Sequence, residues 1–263
     1  MMTPSLMGVV NVTPDSFSDG GLFLDPEAAV AHGRELAQGG AEILDVGGES
    51  TRPGAEPVGE EEELRRVIPV IEGLRGAGAQ ISVDTSKAAV AAAALDAGAG
   101  IVNDVTALRG DREMGPVCAE RGVTVVLMHM LGEPRTMQKD PRYDDVVTDV
   151  KAFLAERLEA AVAVGVDEAR VWLDPGIGFG KTGTHNMELL RRLGELRELG
   201  RPLVIGTSRK SFLGKLDGSP ADQRLGGTIA SSILAAAEGA DVLRVHDVAE
   251  MRQALTVATA ILG

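Results

Sequence analysis

Eight short, near-continuous apolar runs recur along the chain, each followed by a stretch of helical spacing, and no other feature restricts the fold so much. The runs are "LMGVV" (Leu6 to Val10), "AEILDV" (Ala41 to Val46), "QISV" (Gln80 to Val83) and "IVNDV" (Ile101 to Val105), then "VTVVLM" (Val123 to Met128), "RVWL" (Arg170 to Leu173), "PLVIG" (Pro202 to Gly206) and "DVLRV" (Asp241 to Val245). Between them lie segments such as "EAAVAHGRELAQGG" and "VVTDVKAFLAERLEAAVAVG", with apolar residues at i, i+3 and i+4 and glycine-rich ends. Runs that do not alternate with polar residues suit parallel strands covered on both faces. Eight such strand–helix units match the count of a (β/α)8 TIM barrel, with an open doubly wound sheet as the competing arrangement. No composition break or low-complexity linker interrupts the series, so residues 1–263 are expected to form one domain.

Composition limits the function. The hydrophobic fraction is 44% with only seven aromatic residues, so the core must be aliphatic. A formal net charge of −13 gives a long-range field of the wrong sign for nucleic acid or an anionic membrane. The single cysteine, Cys118, excludes a disulfide framework and reads as a buried small hydrophobe. The N-terminal "MMTPSLMGVVNV" lacks the pattern of a signal peptide, and no run is long enough to span a membrane, so a cytoplasmic protein is expected. The four histidines lack the short paired spacing of zinc sites, and "GTSRKS" is not a nucleophile elbow.

"DPGIGFGKT" invites comparison with a phosphate-binding loop. That motif needs a glycine five residues before the Gly180-Lys181-Thr182 end, and here the position is Pro175, which offers no N–H. The nucleotide-binding reading is therefore disfavoured.

Nearly every apolar run ends in polar residues: Asn11, Asp45, Asp84, Asn103, His129, Asp174, Ser208 with Lys210, and Arg244 with His246. In a barrel these ends gather on the face where active sites are built. Each has a plainer reading. Asp84 could cap a helix, although Thr85 and Ser86 could do so equally; Asn103 or Asp104 could be a turn former; Asp174 before Pro175 could open a turn; His129 could be a satisfied core residue. Arg244 and His246, two apart, project to one side, and with Arg52, Arg209 and Lys210 would form a cationic rim for an anionic leaving group. Glu60 to Glu63 is expected to be a solvated helix start. The long loops "NVTPDSFSDGGLFLD" and "GGESTRPGAEPVGE" are candidate functional segments. Mg²⁺ held mainly by substrate phosphates is compatible with these residues.

The blocks "NVTPDSFSDGG", "DVGGESTRPGA", "VDTSK", "NDV", "MHMLGEPRTMQ", "LDPGIGFGKT", "GTSRKSFLG" and "RVHDV" occur in order from end to end, and together they resemble the dihydropteroate synthase family; "MLGEP" departs from the pattern at Leu131 and Glu133. The resemblance implies a folate-pathway barrel enzyme joining 6-hydroxymethyl-7,8-dihydropterin diphosphate to p-aminobenzoate. It implies that Asp84, Asn103, Asp174 and Lys210 read the pterin, beside Met128 and Gly206. Asn11, Arg244 and His246 would meet the diphosphate, with Asn11 also a ligand of Mg²⁺. Phe17, Thr51, Arg52, Pro53, Phe179 and Ser211 would surround p-aminobenzoate. Catalytic roles fall to Asp19, Arg52, Lys210, Arg244 and His246. Sulfonamide inhibition and a homodimer formed through the last helices are likewise implied. Two competing functions stay open: a methyltetrahydrofolate-binding methyltransferase, which has no use for "TPDSFSDGG", "STRPG" or "SRKSFLG", and a pterin-binding homologue without turnover.

Overall fold

The computed structural model describes residues 3–13, 25–50, 55–132 and 136–262. Its strands are β1 (Ser5–Asn11), β2 (Ile43–Gly47), β3 (Gln80–Asp84), β4 (Ile101–Asp104), β5 (Thr124–Met128), β6 (Val171–Asp174), β7 (Val204–Ile205) and β8 (Val242–Val245). All pair in parallel in the order β6-β5-β4-β3-β2-β1-β8-β7. A bridge between Leu173 and Leu203, with the Leu173 N–H donating to Pro202 O at 2.9 Å, joins the two ends. The sheet is therefore a closed barrel, and the open doubly wound alternative falls.

The helices are α1 (Pro26–Gln38), α2 (Glu60–Leu74), α3 (Ala88–Ala97), α4 (Met114–Arg121), α5 (Val146–Ala163), α6 (Gly183–Arg191), α7 (Ser211–Asp217), α8 (Leu225–Ala237) and α9 (Val248–Leu262). Two of them, α7 and α8, follow β7, where one helix per strand was expected. Strand parity sorts the core into two shells. Leu6, Leu44, Val102, Val125, Leu127, Leu173 and Leu243 face the helices, whereas Met7, Ile43, Ile101, Val126, Val204 and Val242 form a separate cluster against Trp172 inside the barrel. One step of two residues beyond this apolar plug, on the same inward parity, come Asp45, Asn103, Met128, Asp174, Gly206 and Arg244. The plug closes the lower end of the barrel, so the interior positions above it are those that can meet a ligand.

Several plainer readings resolve here. Asp104 is the turn former: its carboxylate accepts the N–H groups of Thr106 at 2.8 Å and Leu108 at 2.7 Å. Asp84 is not the cap of α3, because the first helical N–H, that of Ala88, donates instead to Asp111 at 2.9 Å. Cys118 is fully buried, and burial pushes its thiol up to about 12, which removes the thiolate a nucleophile needs. The expectation for Glu60 to Glu63 is corrected at its last member. Glu63 is completely buried and ion-paired with Lys87, which also holds Glu49. The helix phase is the reason: Glu63 lies one turn before buried Val67, on the face turned toward the barrel.

Candidate active site

The residues at the strand ends converge through long-range contacts. Arg244 on β8 crosses the barrel mouth; its Nε donates to Asp45 Oδ2 at 2.6 Å and its Nη2 to Asp84 Oδ2 at 2.9 Å. Asn103 Nδ2 donates to the same Asp45 oxygen at 3.0 Å, which commits its amide N–H and orients its carbonyl oxygen the other way. Register supports the grouping, since Asn11 pairs with Gly47, Gly47 with Asp84 and Asp84 with Asn103 along adjacent strands. Across the mouth, Met128 is in register with Asp174. Gly206 faces Arg244 and Lys210: a Cβ there would stand 3.6 Å from Lys210 Nζ and 3.7 Å from Arg244 Cβ.

Burial sets the electrostatics of this floor. Asp84 is pushed up to about 8 by burial and by the neighbouring Asp45 carboxylate, with Arg244 pulling the other way. Burial raises Asp174 as well, against the cation of Lys210 and a 2.6 Å hydrogen bond from the Gly176 N–H. Lys210 is drawn down to about 8 by burial, which Asp174 opposes and Arg244 reinforces. Burial also works against the charge of Arg244, but Asp45 and Asp84 outweigh it and raise the guanidinium above its ordinary value. Carboxylates, an amide and cations thus share a largely buried floor. A flat heterocycle carrying both N–H donors and a carbonyl would satisfy these groups together.

The remaining candidates surround this floor. Lys210 Nζ lies 4.8 Å from the centre of the Phe179 ring, a cation–π approach. Phe179 itself packs on Val105, Met128, Met130 and Met137. His246 is held at Nδ1 by Ser208 Oγ at 2.9 Å. Ser211 is exposed in the first position of α7. Asn11 is half-buried at the end of β1. One member of the expected cationic rim departs from it. Arg209 forms an ion pair with Asp247 at 2.6 Å, immediately before α9, so much of its charge is answered within the protein. Phe17, Asp19, Thr51, Arg52 and Pro53 lie outside the described residues.

His129 follows its plainer reading. It is 5% exposed, its ring meets Phe153 edge-on at 4.8 Å, and its Nδ1 lies 2.8 Å from Lys181 Nζ. Burial, with the Lys181 charge beside it, holds the imidazole well below its ordinary value and keeps it neutral. The "GKT" end of the β6 loop is equally internal. Lys181 is 2% exposed, and Thr182 caps α6, its Oγ1 accepting the His185 N–H at 3.2 Å. Thr182→Ala is therefore expected to cost about 1 kcal/mol in denaturant unfolding and to leave turnover unchanged. Loss of turnover at full stability would restore the phosphate-loop reading.

Two important residues have roles that the sequence alone does not reveal. Asp45 is visible as a polar strand end, but its partners Arg244 and Asn103 lie 199 and 58 residues away. Lys181 falls with the phosphate motif when that motif is rejected. Its signal is present in the glycines: Gly176 has φ +67, and a Cβ there would stand 1.9 Å from His129 O, so the loop closes tightly enough to enfold a side chain.

Comparison with known proteins agrees with this geometry. Residues 7–246 match the model of the pterin-binding enzyme family. The dihydropteroate synthase of Escherichia coli strain K12 is 46% identical over 261 residues, covering 99% of this chain and 92% of that protein. A crystal structure of Yersinia pestis dihydropteroate synthase with a sulfonamide drug complex superposes with a TM-score of 0.96 at 45% identity, covering 99% of this chain and 94% of that one. Dihydropteroate synthase from Xanthomonas albilineans in complex with 7,8-dihydropteroate gives a TM-score of 0.88 at 50% identity, covering 99% and 94%. Among the described residues no helix is long and apolar enough to cross a membrane. The chain belongs to the pterin-binding enzyme family and, within it, to the dihydropteroate synthases.

Proposed function

We propose that the barrel mouth condenses 6-hydroxymethyl-7,8-dihydropterin diphosphate with p-aminobenzoate, giving 7,8-dihydropteroate and diphosphate. The observation that carries the reading is the cluster of polar residues at the barrel mouth, Asp45, Asn103, Asp174 and Arg244 directly above the apolar plug with Asp84 and Lys210 beside them, in a chain of this family. The pterin's amidine-like edge offers adjacent N–H donors, and Asp174 is the carboxylate that accepts them. Asp84 and Asn103 read the remaining ring nitrogens, Lys210 donates to the ring carbonyl, and Met128 and Gly206 line the same pocket. A floor of buried polar groups rejects analogues that leave them unpaired.

Breaking the C–O bond to diphosphate leaves a cation on a methylene conjugated with the dihydropterin, so departure can run ahead of attack. Asn11, Arg244 and His246 stand on the side where the leaving charge develops. Among the described residues no group of three or more His, Cys, Asp or Glu side chains could hold a metal by itself. The half-buried Asn11 still offers one hard oxygen of the kind Mg²⁺ takes alongside substrate phosphate oxygens, so the residues fit an ion shared with the substrate. Such an ion would supply neutralisation of the leaving diphosphate. Phe179 and Ser211, with Phe17, Asp19, Thr51, Arg52 and Pro53 from the two long loops, receive p-aminobenzoate and exclude water from the cation. The arylamine is weakly basic and needs little help from a general base.

The same reading includes a cytoplasmic homodimer built as one domain over residues 1–263. Leu234 on α8 and Val257, Ile261 and Leu262 on α9 are more than half exposed, which suits helix faces that meet a second copy. The reaction is tested by following diphosphate release. Release is expected only when p-aminobenzoate is present and to disappear in Asn11→Ala and Arg244→Ala. Release that ignores p-aminobenzoate would point to hydrolysis instead.

A further inference from the structure

The loop from Gly176 to Gly180 is hydrogen-bonded in the opposite sense to a phosphate cradle. Five consecutive carbonyls each accept from a side chain. Gly176 O and Phe179 O accept from Lys181 Nζ at 3.0 and 2.9 Å, Ile177 O from Lys210 Nζ, Gly178 O from Gln138 Nε2 at 2.5 Å, and Gly180 O from Tyr143 Oη at 2.8 Å. Where a nucleotide-binding loop turns N–H groups onto an anion, this one turns carbonyls onto lysines. Lys210 reaches the floor of the site, whereas Lys181 is 2% exposed and lies beneath the loop, out of reach of a ligand.

Lys181 has a third contact, His129 Nδ1 at 2.8 Å. The arrangement is satisfied in either protonation state. A charged lysine donates to Nδ1 of one imidazole tautomer, and a neutral one accepts from the Nδ1–H of the other. Although burial draws Lys181 well below the usual lysine range, its three contacts therefore persist. Two of them end on the carbonyls of residues that bracket the bend. Gly176 also donates to Asp174 Oδ1 at 2.6 Å, and its N–H returns the constraint to the carboxylate.

We propose that Lys181 is a positioning residue for both substrates: without meeting either, it fixes the Gly176 and Phe179 carbonyls and so sets where the Asp174 carboxylate and the Phe179 ring stand. The inference rests on the assignment of Asp174 to the pterin and Phe179 to p-aminobenzoate made above. It predicts an effect split by location. The pterin and p-aminobenzoate contacts share this loop, whereas Asn11, Arg244 and His246 belong to β1 and the end of β8.

The test is steady-state kinetics on the full chain, varying dihydropterin diphosphate and p-aminobenzoate separately, together with inhibition by inorganic diphosphate and Mg²⁺. Lys181→Met keeps the length of the side chain and removes its donors. Both KM values are expected to rise about tenfold or more, because the buried Phe179 carbonyl loses the Lys181 donor, Gly176 O keeps only the Phe179 N–H at 3.0 Å, and the loop shifts. Diphosphate inhibition is expected to stay at the parental value, and kcat to change less than either KM. Lys181→Gln returns an N–H donor and is expected to fall between the parent and Lys181→Met. Should Lys181→Met fail to fold, Lys181→Gln decides alone: raised KM values with unchanged diphosphate inhibition support the proposal, and parental KM values overturn it. Parental KM values in Lys181→Met, or a loss shared equally by both substrates and diphosphate, also overturn it. A parent protein that forms no dihydropteroate would remove the functional reading itself, and the inference with it.

Discussion

Asp174→Asn weakens binding of the dihydropterin by about 2–3 kcal/mol, roughly 30- to 150-fold in Kd. The substitution is informative because it separates charge from shape. Asp174 Oδ1 accepts the Gly176 N–H at 2.6 Å, and the asparagine carbonyl can keep that bond, so the loop retains its anchor. What disappears is the charged acceptor for the pterin's pair of N–H donors. An amide there also turns one of its own donors toward the ligand's donors. Titration calorimetry with the pterin checks this, and an affinity within twofold of the parent would remove Asp174 from the pterin edge. Lower pH should act in the same direction in the parent. Burial holds the Asp174 carboxyl above its usual range, so it takes up a proton at a higher pH than an exposed carboxylate, and the charged acceptor is lost with it.

Arg244→Ala has the largest expected effect on the fold. It leaves Asp45, fully buried, and Asp84, 9% exposed, facing each other without the guanidinium that bridges them. Breaking a buried ion pair from one side costs about 3–5 kcal/mol, and denaturant unfolding at neutral pH should show that loss. The loss should grow as pH rises past about 8, for a reason already visible in the parent. Asp84 holds its proton up to about pH 8 in the folded state against 3.8 ordinarily. Between those values the folded chain binds more protons than the unfolded one, so the Asp84 contribution to stability is complete below pH 3.8 and is lost as pH rises toward 8. Removing Arg244 removes a neighbour that lowers Asp84, which extends this window upward. A loss below about 1 kcal/mol, or one that does not change with pH, would show that the triad is not a coupled unit.

Much of this architecture is legible in the amino-acid order itself, because its signals are local. Each barrel strand is a short apolar run, and in four of them a polar residue falls on inward parity two positions after a plug residue: Ile43 and Asp45, Ile101 and Asn103, Trp172 and Asp174, Val242 and Arg244. What stays hidden depends on partners far along the chain. Nothing near Glu63 shows that it is buried, because its compensating cation, Lys87, lies 24 residues away on another helix start. The expectation of a solvated run fails there for that reason. Nothing near Arg209 shows that its charge is answered by Asp247, 38 residues on. Lys181 is obscured by a motif that shares its sequence but not its purpose. Pro175 correctly argues against a phosphate loop, yet the positive use of the lysine depends on His129, 52 residues earlier, and on carbonyls whose directions only the folded loop defines.

The central claim is that this cluster of polar residues at the barrel mouth joins a dihydropterin to an arylamine. Its most direct test is the mass of the product after mixing the protein with 6-hydroxymethyl-7,8-dihydropterin diphosphate, Mg²⁺ and p-aminobenzoate, beside an Asn11→Ala, Arg244→Ala double variant. The expected result is 7,8-dihydropteroate from the parent and none from the variant. Tight pterin binding by the parent without any dihydropteroate would contradict the claim and leave a pterin-binding protein of another function.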